Sequence, residues 1–298
     1  MRIKDLGEFG LIKRIAKNIK TDASVVKASG DDCAVIKFDK SNYQLLTCDM
    51  IVEGVDFRRN ERPYLIGRKA LAISLSDIAA CAGIPRYALV SIGLPKNISI
   101  KKVDEMMKAL LELAAAFKVN IVGGDISLSK QLTLETTVLG IVEKKCLVLR
   151  NGAKPSDIIF VTGSLGDSIS GKHLKFSPRI KEARFLTQNF KVNSMIDISD
   201  GLSQDLGHIL EASRAGATIY ADLVPRSKNN ISVKDALASG EEFELLFTLP
   251  IKEARKLIRQ KSGIFHPIGQ ITEQKLGLRL IDRNCRETLL KIKGFRHF

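Results

Sequence analysis

The chain has 298 residues, and at roughly 100–200 residues per domain that length predicts two domains or one large one. Hydrophobic residues make up 45% and charged residues 27%, which excludes a disordered or collagen-like chain. No run of about 18 apolar residues is present to span a membrane. The formal charge of +14 favours polyanionic partners: nucleic acid, an anionic membrane or phosphorylated metabolites. Its basic residues are spread along the chain, Trp is absent and only 4 Tyr occur, so a nucleic-acid surface with stacked bases is poorly supported. The 5 cysteines (Cys33, Cys48, Cys81, Cys146 and Cys285) form no Cys-x-x-Cys pair and follow no secretory signal, the pattern of a reduced cytoplasmic protein. Met1–Lys20 is basic and amphipathic, but Asp5 and Glu8 oppose a transit peptide.

In chain order, Phe9, Ile12, Ile15, Ala16 and Ile19 predict a helix over 8–19. Strands are expected at 33–38 and 44–50. Pro63 opens a long, mostly apolar helix ending near Gly83. A strand at 86–94, a helix at 100–117, a short strand at 119–122 and a Thr/Val-rich strand at 132–142 follow. The polar, turn-rich stretch from Glu143 to Asp157 marks a boundary, which divides the chain into domains 1–145 and 146–298. Beyond it the pattern gives a strand (158–162), helices (167–174 and 179–189), a strand (194–198), a helix (203–212), strands (217–221 and 244–249), a helix (252–261) and β-rich segments to the end. Both halves are mixed α/β.

Acids recur beside glycines at predicted strand ends: Asp31 and Asp32 after Gly30, Asp125 after Gly124, Asp200 before Gly201, Glu241 and Glu242 after Gly240. Any one such pair is ordinary turn chemistry, and Asp200 also reads as a helix cap. Four acidic turns in a basic protein point to a site. Asp77 is more telling, because its helix is apolar nearly all round. A carboxylate buried there needs an ion pair, hydrogen bonds or a metal. In the strand at 44–50, alternation puts Thr47 and Asp49 on one face and Cys48 and Met50 on the other. Asp197 closes a strand and Asp200 enters the next turn.

Carboxylates without a His or Cys cluster suit Mg²⁺, a hard cation that bridges to substrate phosphates. The histidines lack zinc-ligand spacing. Gly166-Asp-Ser-Ile-Ser-Gly-Lys-His173 falls one residue short of a P-loop, since His173 stands where a hydroxyl is required. The pattern as a whole reads as phosphoryl transfer by positioning and electrostatics.

Eleven ordered blocks then carry a resemblance: Gly7–Ile12, Gly30–Val35, Asp49–Phe57, Gly67–Ala72, Ser76–Ala80, Gly123–Asp125, Arg150–Pro155, Asp197–Leu202, Asp205–Ile209, Gly240–Leu245 and Gly294–Phe298. On these the chain resembles the thiamine-monophosphate kinase family of the aminoimidazole-ribonucleotide-synthetase-like superfamily. The resemblance implies a two-domain α/β fold whose N-terminal domains pair in a homodimer through a β-barrel-like core. It implies direct transfer of the γ-phosphoryl group of ATP to thiamine monophosphate, with no phosphoenzyme, no nucleic acid and no membrane. By the same resemblance Mg²⁺ is held by Asp32, Asp49, Asp77, Asp125, Asp197 and Asp200, with help from Thr47 and Cys48. Gly124, Asp125, Arg150 and Ser199 match nucleotide positions, and Asp56, Glu241 and Phe295 match substrate positions. No residue is expected to act as a strong general base, because the acceptor phosphate is already anionic.

The chain departs from the family pattern at several points. Cys48 replaces a Thr, Asp56 replaces a His, Asn151 replaces a Ser, Ser156 replaces a Gly, and Glu242 and Phe243 replace Asp and Tyr. The departures leave every metal carboxylate in place. The rivals are a relative such as aminoimidazole ribonucleotide synthetase or selenophosphate synthetase, a basic nucleic-acid-binding protein, and a non-catalytic nucleotide binder. The Val52–Phe57 block and the C-terminal ending favour the thiamine enzyme.

Overall fold

The computed structural model of the chain describes residues 2–228 and 231–295. Its first half runs α1 (Ile3–Ala16), β1 (Val25–Lys27), β2 (Ala34–Lys37), β3 (Asn42–Val52), α2 (Pro63–Ala80), β4 (Ile84–Leu94), α3 (Ile100–Ala116), β5 (Asn120–Leu128) and β6 (Thr133–Glu143). The strands form one sheet in the order β1-β2-β3-β6-β4-β5, antiparallel except for the β4–β5 pair. The second half runs β7 (Ile158–Thr162), α4 (Lys172–Lys175), α5 (Ile180–Asn189), β8 (Ser194–Asp197), α6 (Leu202–Ser213), β9 (Ala215–Tyr220), α7 (Val233–Ala238), β10 (Leu245–Leu249), α8 (Ile251–Arg259), β11 (Phe265–Glu273), β12 (Leu278–Ile281) and β13 (Glu287–Leu289). Its sheet has the order β13-β12-β9-β11-β7-β10-β8, with only β12 and β9 parallel.

Helix α2 is the centre of the molecule. Pro63 stands at its start, where the missing N–H costs nothing, and Leu65 to Ala80 is buried nearly all round. One side of α2 lies on β3 and β6, where Leu134, Thr136 and Val138 alternate inward. Another side packs on α3, so closely that a Cβ on Gly67 would sit 1.9 Å from the Met106 carbonyl oxygen. The helix also touches α4, α5 and β8 of the second half. Ile66 and Leu75 therefore share a core with Phe160 and Phe247. Arg184 adds a polar tie between the halves, forking onto Glu143 at 2.6 and 2.8 Å and donating to the Ala82 carbonyl at 2.9 Å.

Most expected elements are found, with shifted ends. The helix expected over 167–174 is instead a 3₁₀ turn (Ser168–Ser170) and the short α4, separated by Gly171 at φ +130°. That left-handed backbone breaks the helical ladder. Helix α7 and strand β1 went unpredicted because both are too short to show a period. The first helix begins earlier than its apolar pattern, at Ile3. Among the described residues no helix is long and apolar enough to cross a membrane.

Candidate active site

Three acids from three elements meet behind α2. Asp32 lies in the turn before β2, Asp77 near the end of α2, and Asp197 at the end of β8. One carboxylate oxygen from each lies within 4.8 Å of the others. Strand alternation brings Thr47 and Asp49 to the same place: the Thr47 hydroxyl donates to the Asp77 carboxylate, and burial raises the Asp49 pKa beside Ser74, Asp77 and Asp32. Ser76 donates to Asp197 Oδ2 at 2.6 Å, and Arg150 donates to Asp32 Oδ1 at 2.7 Å.

The cluster has fewer donors than acceptors. Asp32 Oδ2 and Asp49 Oδ2 are buried without a hydrogen-bond partner. Burial, then the neighbouring Asp49, Asp197 and Asp32 charges, push the Asp77 carboxyl well above the usual range. Burial and then Asp32 push Asp197 up to about 8. Asp31 rises to about 6 for the same two reasons, although Arg150 N–H and Lys27 face it. Convergent carboxylates with orphaned lone pairs and raised pKa values fit a hard divalent cation, which supplies the missing positive charge.

A cleft of about 1110 Å³ opens beside this cluster, between the two halves. Asp49 reaches it, together with Asp56, Ser199, Asp200, Glu241 and Phe295, and Arg58, Arg62 and Lys175 also line it. The Asp56 side chain is tied into its own turn, Oδ2 accepting from Val52 N–H at 2.7 Å. Glu241 pairs with Lys69, a fully buried cation on α2. Phe295 donates its backbone N–H to the Asp200 carbonyl at 2.9 Å. The rest of the C-terminal block, Arg296, His297 and Phe298, lies outside the described residues.

Other sequence-derived candidates lie elsewhere. Asp200 is not the cap of α6, since that position is Gly201. Asp205 reaches back instead, its Oδ2 accepting from Asp200 N–H at 3.2 Å and Gly201 N–H at 3.0 Å. Asp200 groups with Asp205 and His208 rather than with the triad. Burial, then Arg150, lower the His208 pKa to about 4, so its ring is neutral. Asp125 is exposed on the edge strand β5, in register through Ser91 with Glu135. Residues in register share a face, so Asp125 lies on the outer face with Cys48, whose thiol donates to Glu135 at 2.9 Å. Among the described residues no potential ligand cluster includes Asp125. At Gly124 a Cβ would lie 1.8 Å from the Val90 carbonyl oxygen, so this glycine is required for strand packing as well. Lys69, Ser76 and Asp205 also tie the site together, although the sequence pattern assigns none of them a role.

Two domain models match the chain: AIR synthase related protein, N-terminal domain, over residues 30–142, and AIR synthase related protein, C-terminal domain, over residues 154–281. The fold is that of this two-domain class. Among curated relatives, the thiamine-monophosphate kinase of Buchnera aphidicola subsp. Schizaphis graminum is 36% identical over 99% of each chain. That of Bacillus subtilis is 32% identical over 98% of this chain and 100% of its own. A solved structure of AaThiL complexed with AMPPCP and TMP superposes with a TM-score of 0.88 at 29% identity, covering 100% of this chain and 99% of that one. The chain belongs to the thiamine-monophosphate kinase family.

Proposed function

We propose that this protein transfers the γ-phosphoryl group of ATP to the phosphate of thiamine monophosphate, releasing thiamine diphosphate and ADP. Family membership and the neighbour bound to AMPPCP and TMP support the reaction. The observation that carries it is the junction of a buried carboxylate cluster with an open cleft at Asp49. Asp32, Asp49, Asp77 and Asp197, with Thr47, would hold Mg²⁺; bound there, the ion neutralises phosphate charge and fixes the geometry of the nucleotide. Asp125, Asp200, Cys48 and the nucleotide positions Gly124, Arg150 and Ser199 remain part of this proposal by family correspondence.

The chain's own work is binding and alignment. Arg58, Arg62 and Lys175 attract the anionic acceptor into the cleft. Glu241 and Glu61 give it an acidic side that suits the cationic thiazolium, and Phe295 offers an aromatic face. The acceptor oxygen is ionised near neutral pH, so it attacks the γ-phosphorus without losing a proton, and the bond to the β-bridging oxygen breaks as ADP leaves. Catalysis by positioning is consistent with a cleft whose histidine, His173, is held by the Ser168 carbonyl at 2.8 Å. Incubated with MgATP, the protein is expected to make thiamine diphosphate from the monophosphate and none from thiamine. Diphosphate formed from thiamine would overturn the acceptor.

We also propose that two copies pair through the first sheet. Its outer face and edge expose Met50, Tyr87, Leu89, Ile126 and Leu128, the last at 76%. An open apolar edge of this kind calls for a partner, and the family resemblance names a second copy. Light scattering is expected to give the mass of two chains, and Leu89→Glu the mass of one. A wild-type monomer would remove the proposal. Five free cysteines and an ATP-dependent reaction suit the cytoplasm.

A further inference from the structure

Lys69 is 0% exposed, in the middle of an apolar helix. A cation there is costly unless its donors are used. Its ammonium donates to the Asp56 carbonyl at 2.7 Å and to the Glu241 carboxylate. Both acceptors belong to segments that line the cleft, one from each half of the chain. Both segments are tightly shaped. The Asp56 turn is closed by Asp56 N–H to the Val52 carbonyl at 3.0 Å and by Gly54 N–H to the Phe57 carbonyl at 2.8 Å. The Glu241 loop holds two non-glycine residues in the left-handed region, Glu241 at φ +57° and Phe243 at φ +51°. Such backbone persists only where its surroundings over-determine it. Here the restraints are Glu241 N–H on the Ser199 carbonyl at 2.6 Å, Ser168 on the Glu241 carbonyl at 2.6 Å, and Phe243 stacked on Phe176 at 4.2 Å.

Seven residues further along α2, Ser76 makes the corresponding contact to Asp197. Positions i and i+7 lie on one face, about 10 Å apart along the axis. One face of α2 thus touches the second half twice, once at the wall of the cleft and once at the acid cluster.

We propose that Lys69 is a positioning residue that fixes the thiamine monophosphate pocket relative to the metal-binding acids, acting through Glu241 and the Asp56 turn. The inference rests on the reading of the cleft as that pocket. Lys69 is not among the residues that line the cleft; it holds Glu241 and the Asp56 turn in the shape that binds the acceptor, with α2 as the spacer to the acids.

Steady-state kinetics of the full-length protein test this. Lys69→Met removes the charge without leaving a cavity. The KM for thiamine monophosphate is expected to rise about 10-fold or more while the KM for ATP stays within about 2-fold, since only the acceptor side is misplaced. In a Glu241→Gln background the same substitution is expected to add little, because the two act as one unit. A merely structural lysine would raise both KM values alike or lower melting temperature alone. Lys69→Gln, which keeps an N–H for the Asp56 carbonyl, gives the same comparison if the Met variant does not fold. An unchanged KM for thiamine monophosphate in whichever variant folds, or an equal rise in both KM values, overturns the proposal. Wild-type turnover separates the two failures: without thiamine diphosphate from the wild type the functional reading falls, and with it only the role of Lys69 is at stake.

Discussion

Asp77→Asn is expected to abolish phosphoryl transfer and, in the same protein without cations, to raise thermal stability. Asp77 shares the acid cluster with Asp32 and Asp197, and burial followed by those like charges raises its pKa. An Asn keeps the acceptor for the Thr47 hydroxyl and needs neither a buried charge nor a proton taken up on folding. Removing that cost is worth about 1–2 kcal/mol, or about 2–6 °C in Tm for a chain of this size. The same change removes a charged ligand from the proposed metal site, and turnover is expected to fall about 10³-fold or more. Because the Asp77 and Asp197 carboxyls have raised pKa values, the native protein holds more protons than the unfolded chain, so their contribution to stability falls as pH rises. For Asp197 that loss is complete above about 8. Melting curves from pH 5 to 9, with and without Mg²⁺, should show the cation-free wild type losing stability with pH and Asp77→Asn losing less. A variant that melts below the wild type at every pH would mean that the carboxylate is structural.

Gly67→Ala should be among the most destabilising single methyl additions in the protein. The new Cβ would lie 1.9 Å from the Met106 carbonyl oxygen and 2.6 Å from its carbon. Both belong to helix backbone, which cannot rotate out of the way, so α2 and α3 must separate. Overpacking of this kind costs about 3 kcal/mol, and Tm should fall by about 6–12 °C. The loss should extend to activity, since α2 carries Lys69, Ser76 and Asp77. Gly207→Ala is the control: its nearest neighbour is the half-exposed Ile292 side chain at 3.0 Å, which can move. Circular dichroism melts of the two variants separate these cases, and equal Tm values would show that α2 and α3 adjust freely.

Why some of this site was legible in the sequence, and some was not, follows from the reach of each pattern. Period-two alternation put Thr47 and Asp49 on one face, and a strand obeys it over every residue of β3. Asp77 was legible because a carboxylate in an apolar helix demands a partner. The same logic applies to Lys69, but Arg68 beside it and the polar turn before Pro63 make that end of the helix look solvent-facing. Glu241, its partner, is 172 positions away, and no local pattern connects them. Asp200 looked like a cap because it precedes a helix; Asp205, from inside the helix, takes that part. Asp125 shows the limit of reading strands. A register shift between Ala88 and Leu89 and two adjacent glycines set which face it occupies, and neither is visible without the neighbouring strand.

If the carboxylate cluster and the cleft beside it form one site for metal-assisted transfer of a phosphoryl group to thiamine monophosphate, label from γ-labelled ATP enters thiamine diphosphate across a Mg²⁺ titration in the wild type but not in Asp77→Asn. Saturable Mg²⁺-dependent transfer by the wild type, absent from a variant that is folded and melts no lower, is the predicted result. Undiminished transfer by Asp77→Asn, or transfer that persists in excess chelator, would contradict it.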